Sequence, residues 1–134
     1  MFPEIWKRVV GTEYNNAPAF ITGYQRKRIR NETYPGLTSG DLSDLVRGVI
    51  YMDVCHAHLG VLDRFEGNTY ERKRLDCRLL DGGCVPAFVY IVKQEYAYLL
   101  EDAKWDPDHF LTHGIRQFIN EYAGFRELQH KGSP

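Results

Sequence analysis

A chain of 134 residues is long enough for one domain with its own hydrophobic core. Its formal net charge of −1 at pH 7 excludes a strong attraction to nucleic acid or to an anionic membrane surface, so neither is expected as a partner. No stretch approaches the ~20 apolar residues that cross a membrane, and no signal-peptide pattern is present, which predicts a cytoplasmic protein. The three cysteines lack CxxC spacing, a pattern that argues against a disulfide framework or a structural zinc site.

The first half of the chain predicts two helices and two strands. A short helix is expected over Pro3–Val10, because proline suits a first turn and apolar residues recur along one side. The composition of Ala17–Ile29 is typical of one long strand, and Leu45–Val54, rich in valine and isoleucine, predicts another. In His56–Glu66 apolar residues recur every three positions, which predicts a helix that the following glycine ends.

Tyr70–Leu80 and Cys84–Val92 are predicted to be the two strands of a hairpin. If the Gly-Gly pair between them forms a two-residue turn, Cys77 lies opposite Phe88 and not opposite Cys84. The two thiols are then not cross-strand partners, so free cysteines are expected.

A last helix is predicted over Pro107–Tyr122, with Asp106 as its N-cap and Gly124 as its terminator. His109 and His113 lie one turn apart on this helix and could share a metal ion. They fall opposite the apolar face, which carries Phe118, Ile119 and Tyr122. Two solvent-facing histidines are therefore the favoured interpretation, and no metal site is predicted.

The order of these elements favours the α+β class with a mainly antiparallel or mixed sheet, because strands outnumber helices and no βαβ unit repeats. No internal repeat or linker divides the chain, so a single domain over residues 1–134 is predicted. The basic run Arg26–Arg30 could bind phosphate, but the near-neutral net charge favours a solvated strand face.

Glu66 is the most informative candidate for chemistry. It ends a helix whose apolar side points to the core, and the next residue, Gly67, allows a sharp turn and close approach of a ligand. A carboxyl at such a position is partly desolvated, which raises its pKa towards the range useful for proton transfer. The alternative is a solvated glutamate at a helix end, paired with Arg64 or Arg72, and spacing alone favours that alternative.

The segment around Glu66 is similar to a signature of the gamma-glutamylcyclotransferase-like family. The run Leu62–Gly67 followed by Tyr70 and Arg72 resembles the pattern Leu-Asp-x-x-Glu-Gly…Tyr-x-Arg, closest to the branch of plant avirulence-induced proteins and bacterial relatives. Further family-like segments occur in the same order along nearly the whole chain, namely Ala19–Arg30, Tyr34–Gly36, Val46–Tyr51, Ala87–Tyr90 and Trp105–Phe110.

The resemblance implies a fold, a reaction and a catalytic residue. The fold is a small twisted β-barrel, mixed or antiparallel, with a few helices packed outside. The reaction is an acyl transfer in which the α-amine of a γ-glutamyl group attacks its own γ-carbonyl, forming 5-oxoproline and releasing an amine or amino acid. Glu66 matches the catalytic position, and a single carboxyl suffices for this chemistry, so no metal or organic cofactor is expected. The implied partner is a small γ-glutamyl amine or peptide, while the oligomeric state stays open.

The resemblance also suggests residues around the substrate. Tyr34, Tyr70 and Tyr90 match aromatic positions of the family, with ordinary core packing as the alternative for each. Family members begin with a strand and a Tyr-Gly-Thr-Leu loop whose N–H groups bind the substrate, and this chain begins where that loop should end. Met1 and Phe2 are therefore the expected remnant of the loop, and the first strand is expected to be missing.

Two functions remain open from the sequence. The first is an enzyme that cyclises γ-glutamyl compounds, favoured by Glu66 and its surroundings. The second is a binding protein that keeps the fold and cleft without turnover, favoured by the expected loss of the loop.

Overall fold

The computed structural model describes residues 1–125 and 128, and of residue 104 the backbone alone. Helix α1 (Pro3–Val9) is followed by four strands, β1 to β4, at Asn16–Thr22, Tyr24–Ile29, Pro35–Ser39 and Leu45–Tyr51. Helix α2 (His56–Glu66) then leads to β5 (Tyr70–Leu79), β6 (Cys84–Val92), a 3₁₀ segment (Gln94–Leu99) and β7 (Leu100–Lys104). The last elements are helix α3 (Pro107–His109), a π-helical segment (Phe110–Gly114) and helix α4 (Ile115–Glu121).

In the described part of the chain the strands form two curled sheets, one with the order β4-β1-β5-β6 and one with the order β3-β2-β7. Every pairing within them is antiparallel. Strand β3 also approaches β6 across the gap between the sheets, so closely that a Cβ atom on Gly36 would collide with the side chain of Val92. The result is a half-barrel with a few packed helices, which confirms the predicted α+β class.

The single long strand predicted over Ala17–Ile29 is wrong, because the chain breaks at Gly23. This glycine has a φ of +83°, a conformation that other residues rarely adopt. Its N–H donates to the carbonyl of Asp44 at 2.9 Å, and its own carbonyl accepts from the N–H of Gly40 at 2.9 Å. The break sends β1 into the larger sheet and β2 into the smaller one, so this segment connects both halves of the barrel.

The β5–β6 hairpin forms as predicted, but its strands pair three residues away from the register that a two-residue turn would give. Cys77 lies opposite Val85 rather than Phe88, and Cys84 lies opposite Arg78. The turn is longer because the Asp81 carboxylate accepts a hydrogen bond from the N–H of Gly83 at 2.9 Å, which closes a local side-chain turn. Cys77 is buried and Cys84 is exposed, so the thiols do not meet and both are free, as is Cys55.

The helices share one core with the end of the larger sheet. The indole of Trp6 lies flat on the ring of Tyr51, with centroids 3.7 Å apart, and this stack docks α1 onto β4. The second tryptophan, Trp105, donates its indole N–H to the carbonyl of Thr33 at 2.8 Å and packs against Phe110. The buried members of this core are Ile5, Trp6, Val9, Leu62, Phe65, Phe110, Ile115 and Phe118.

The C-terminal helical region is less regular than predicted. Asp106 caps its start as expected, since its carboxylate accepts from the N–H of Asp108 at 2.9 Å. The π-helical segment interrupts it after one turn. The helix ends at Glu121 because Tyr122 takes an extended conformation, so the assignment of Gly124 as terminator is wrong. Among the residues described, no helix is both long and apolar enough to cross a membrane.

Candidate functional site

The position of Glu66 follows from the way helix α2 is built. Leu62 and Phe65 face the core and fix the rotation of the helix. Gly67 takes a φ of +82° and ends the helix directly after Glu66, which lets the chain turn into β5. Glu66 therefore lies at the C-terminal end of α2, beside the first residues of β5.

A cavity of about 600 Å³ opens at this end of the helix. Its wall combines Glu66 at the end of α2 and the nearby Tyr70 with residues distant in sequence, among them Tyr34, Tyr122 and Gly124. Arg64 also lines the cavity, and its Nε is buried without a hydrogen-bond partner. The space is large enough to enclose a small organic molecule.

The carboxyl of Glu66 is poised for proton transfer. The residue keeps a partial opening to the cavity, but surrounding atoms shield its carboxyl from bulk water. This desolvation raises the pKa of Glu66 from 4.5 to about 7, the charged amino group of Met1 opposes the shift, and the charge of Asp63 adds to it. Near neutral pH the carboxyl can therefore both accept and donate a proton.

Asp63 lies one helical turn before Glu66 and connects α2 to the hairpin. It accepts a hydrogen bond from the hydroxyl of Tyr90 at 2.5 Å, and its carboxylate pairs with Nε of Arg72 at 3.5 Å. The guanidinium of Arg72 in turn lies over the ring of Phe88, 4.5 Å from its centroid. These contacts hold β5 and β6 against the helix that carries Glu66.

Three tyrosines surround the cavity, and two of them direct their hydroxyls at backbone carbonyls. Tyr70 donates to the carbonyl of Pro35 at 2.9 Å, and Tyr122 donates to the carbonyl of Glu66 at 2.8 Å. The ring of Tyr34 packs edge-on against that of Tyr122, with centroids 4.9 Å apart. Burial, with the charges of nearby carboxylates, raises the pKa of Tyr34 to about 12, so its hydroxyl stays a proton-bearing donor at neutral pH.

The predicted residues at the start of the chain lie near Glu66 but not in the wall of the cavity. The carbonyl of Met1 accepts a hydrogen bond from the Tyr51 hydroxyl at 3.1 Å, and its amino group is close enough to lower the pKa of Glu66. The ring of Phe2 stacks on Phe110 with centroids 5.5 Å apart. The contacts of Met1 and Phe2 are thus with Tyr51 and Phe110, respectively, outside the cavity wall.

The two C-terminal histidines form a surface pair. The rings of His109 and His113 stack with centroids 4.6 Å apart, and both residues are exposed, as the helical spacing predicted. Within residues 1–125 and 128, no three His, Cys, Asp or Glu side chains are close enough together to hold a metal ion.

Comparison with known proteins identifies a family that matches most of this chain. A family model described as Gamma-glutamyl cyclotransferase, AIG2-like, matches residues 1–107. The chain belongs to this family. Within the AIG2-like gamma-glutamyl cyclotransferases, Protein AIG2 C of Arabidopsis thaliana is 25% identical over 128 residues, which cover 93% of this chain and 75% of that protein.

Two solution structures of Arabidopsis thaliana proteins resemble the AIG2-like chain in fold. At3g28950.1 superposes with a TM-score of 0.67 at 21% identity, covering 98% of this chain and 79% of that one. At5g39720.1 superposes with a TM-score of 0.63 at 20% identity, covering 99% of this chain and 87% of that one. At these identities the likeness shows the shared fold.

The structure brings together three of the residues that the sequence singled out. Glu66, Tyr34 and Tyr70 all line the cavity, whereas Tyr90 reaches it only through Asp63. Sequence reasoning missed Tyr122, which it assigned to the apolar face of the last helix. The family match ends at residue 107, so the wall around Tyr122 lies outside the matched part of this AIG2-like chain.

Proposed function

We propose that this chain is a gamma-glutamylcyclotransferase-like acyltransferase that converts a small γ-glutamyl amine or peptide into 5-oxoproline and a free amine. The observation that carries the proposal is Glu66, a shielded carboxyl with a pKa raised to about 7, in the wall of a cavity of about 600 Å³. Membership of the AIG2-like family supports the same reaction class.

In the proposed reaction the α-amine nitrogen of the γ-glutamyl group attacks its own γ-carbonyl carbon. A new C–N bond closes the five-membered ring, and the bond between the carbonyl carbon and the leaving nitrogen breaks. The Glu66 carboxylate takes the proton released by the attacking amine and returns it to the leaving nitrogen. Glu66 is a carboxylate before the first transfer and again after the second. The chemistry therefore requires no metal or organic cofactor.

The cavity contributes by holding the substrate in a curled conformation. The attack is intramolecular, so fixing the amine against the carbonyl removes much of the entropic barrier. The hydroxyl of Tyr34 remains protonated at neutral pH and is the donor we assign to the developing charge on the carbonyl oxygen.

The proposal includes a cytoplasmic location. The free cysteines Cys55, Cys77 and Cys84 support it, because free thiols are typical of a reducing compartment.

The test is an assay of 5-oxoproline release from a panel of γ-glutamyl amino acids, peptides and simple amides. Glu66→Gln should lower kcat by about 100- to 10,000-fold, the range typical of a lost acid–base group, while the fold persists. Glu95→Gln is the matched control, because Glu95 is exposed in the 3₁₀ segment and outside the cavity wall. For the wild type, kcat/KM should rise as the pH passes about 7 and Glu66 ionises.

Two outcomes would contradict the proposal. Normal turnover in Glu66→Gln would place the proton transfer on another group. A folded wild type that releases no 5-oxoproline from any member of the panel would favour the alternative of a binding protein.

A further inference from the structure

The segment Tyr122–Gly124 forms one wall of the Glu66 cavity and lies beyond the family match. We infer that Tyr122 is a specificity-determining residue, whose ring selects γ-glutamyl compounds with a flat apolar group, such as a phenyl ring, on the leaving amine. This inference rests on the proposed function, because it concerns the substrate of the same site.

The first argument is the direction of the hydroxyls. Tyr122 and Tyr70 both line the cavity, and each hydroxyl is already engaged by a backbone carbonyl, that of Glu66 and of Pro35 respectively. Neither hydroxyl is therefore free to donate to a ligand, and most of what these residues offer is the surface of their ring carbons. Aromatic carbon surfaces favour apolar and especially aromatic groups over polar ones.

The second argument is that the wall is held in a fixed position. The Tyr122 ring stacks on that of Phe118 with centroids 4.7 Å apart. It also contacts the rings of Tyr34 and Phe65, with centroids 4.9 and 5.0 Å away. Gly124 is buried against the end of α2, so tightly that a Cβ atom there would collide with the carbonyl oxygen of Phe65. A wall fixed by rings and by a close backbone contact can discriminate between leaving groups by shape.

The third argument is the location of the wall relative to the reacting group. The hydroxyl of Tyr122 donates to the backbone carbonyl of Glu66, and both residues line the cavity, so the ring lies close to the residue that serves the leaving nitrogen. A side chain attached to that nitrogen would extend along the wall. Recognition of the leaving group and proton transfer to it would thus occur within one small region.

The decisive experiment compares γ-glutamyl-phenylalanine with γ-glutamyl-alanine, which carry the same charges and differ by one phenyl ring. We expect the wild type to prefer the phenylalanine compound by about tenfold in kcat/KM. Tyr122→Leu should reduce this ratio towards one, because it raises KM for the phenylalanine compound more than KM for the alanine compound. Tyr122→Phe keeps the ring and should keep the preference.

Tyr98→Leu is the matched control, because Tyr98 is 66% exposed and lies outside the cavity wall. It should leave the ratio unchanged. A wild type without the preference, or a preference that persists in Tyr122→Leu, would overturn the inference.

A binding measurement separates this inference from the proposed function. Calorimetric titration of both compounds into Glu66→Gln, alone and combined with Tyr122→Leu, reports recognition without turnover. Tighter binding of γ-glutamyl-phenylalanine that disappears with Tyr122 supports the inference even if the wild type releases no 5-oxoproline. Equal binding of the two compounds refutes it, whether or not the wild type is an active cyclotransferase.

Discussion

Replacing Glu66 with glutamine should stabilise the folded protein at pH 8 although it removes the proposed catalytic group. The folded state keeps the Glu66 proton up to about pH 7, whereas the unfolded chain releases it near the ordinary pKa of 4.5. The free energy of unfolding of the wild type therefore falls as the pH rises from 4.5 to 7 and then levels off. The rise of the Glu66 pKa from 4.5 to about 7, at ~1.4 kcal/mol per pH unit, gives a difference of about 3.5 kcal/mol. Glutamine carries no charge to bury, so the variant avoids this loss.

Urea unfolding at pH 5 and at pH 8 measures the effect. The variant should gain at most about 2.5 kcal/mol relative to the wild type between the two pH values, because the unfolded chain has already released most of this proton at pH 5 and water in the cavity screens part of the charge. All other titratable groups are common to both proteins, so their contributions cancel in the comparison. Glu95→Gln, at an exposed position, should follow the wild-type curve. Parallel pH curves for wild type and Glu66→Gln would show that the carboxyl is not desolvated and would refute the reasoning.

Three further predictions test other parts of the structure. Asp63→Asn removes a charge that raises the pKa of Glu66, so NMR titration of the Glu66 carboxyl should show a lower pKa than in the wild type. An unchanged value would contradict the assigned cause. Gly124→Ala should destabilise the protein by about 1–3 kcal/mol in urea unfolding, because its Cβ collides with the carbonyl of Phe65. Gly23→Ala should cost about 1 kcal/mol from its φ of +83° alone, since the new Cβ meets nothing within 4 Å, and a neutral result would disprove strain there.

The fold was predictable where its causes are local. Helix α2 follows from the spacing of Leu62 and Phe65 and from Gly67, all within one short segment. The break at Gly23 was not predictable in this way, because strand-forming residues flank it on both sides. What fixes the break is a hydrogen bond to Asp44, which is distant in sequence. The prediction of the hairpin register was wrong for a different reason. The hydrogen bond from the N–H of Gly83 to the Asp81 side chain is local, but residue spacing alone does not reveal it, and it lengthens the turn.

The residues of the candidate site also divide into those that a local motif reveals and those that only the fold brings together. Glu66 and Tyr70 belong to one continuous motif, and the sequence places them together without knowledge of the fold. Tyr122 is 56 residues from Glu66, and its spacing on the last helix predicts only core packing. Its contact with the cavity depends on the extended conformation that ends the helix, and the sequence carries no clear signal for it.

The placement of the two tryptophans gives the molecule separate fluorescent reporters. Trp6 stacks on Tyr51 and so reports the docking of α1 onto the larger sheet, whereas Trp105 bonds to Thr33 and reports the packing around Phe110. Single Trp→Phe replacements therefore yield two probes of one unfolding reaction. Coincident emission changes in urea mean that the sheet and the C-terminal helices unfold as a single cooperative unit. An earlier change at Trp105 means that the region carrying the Tyr122 wall opens first.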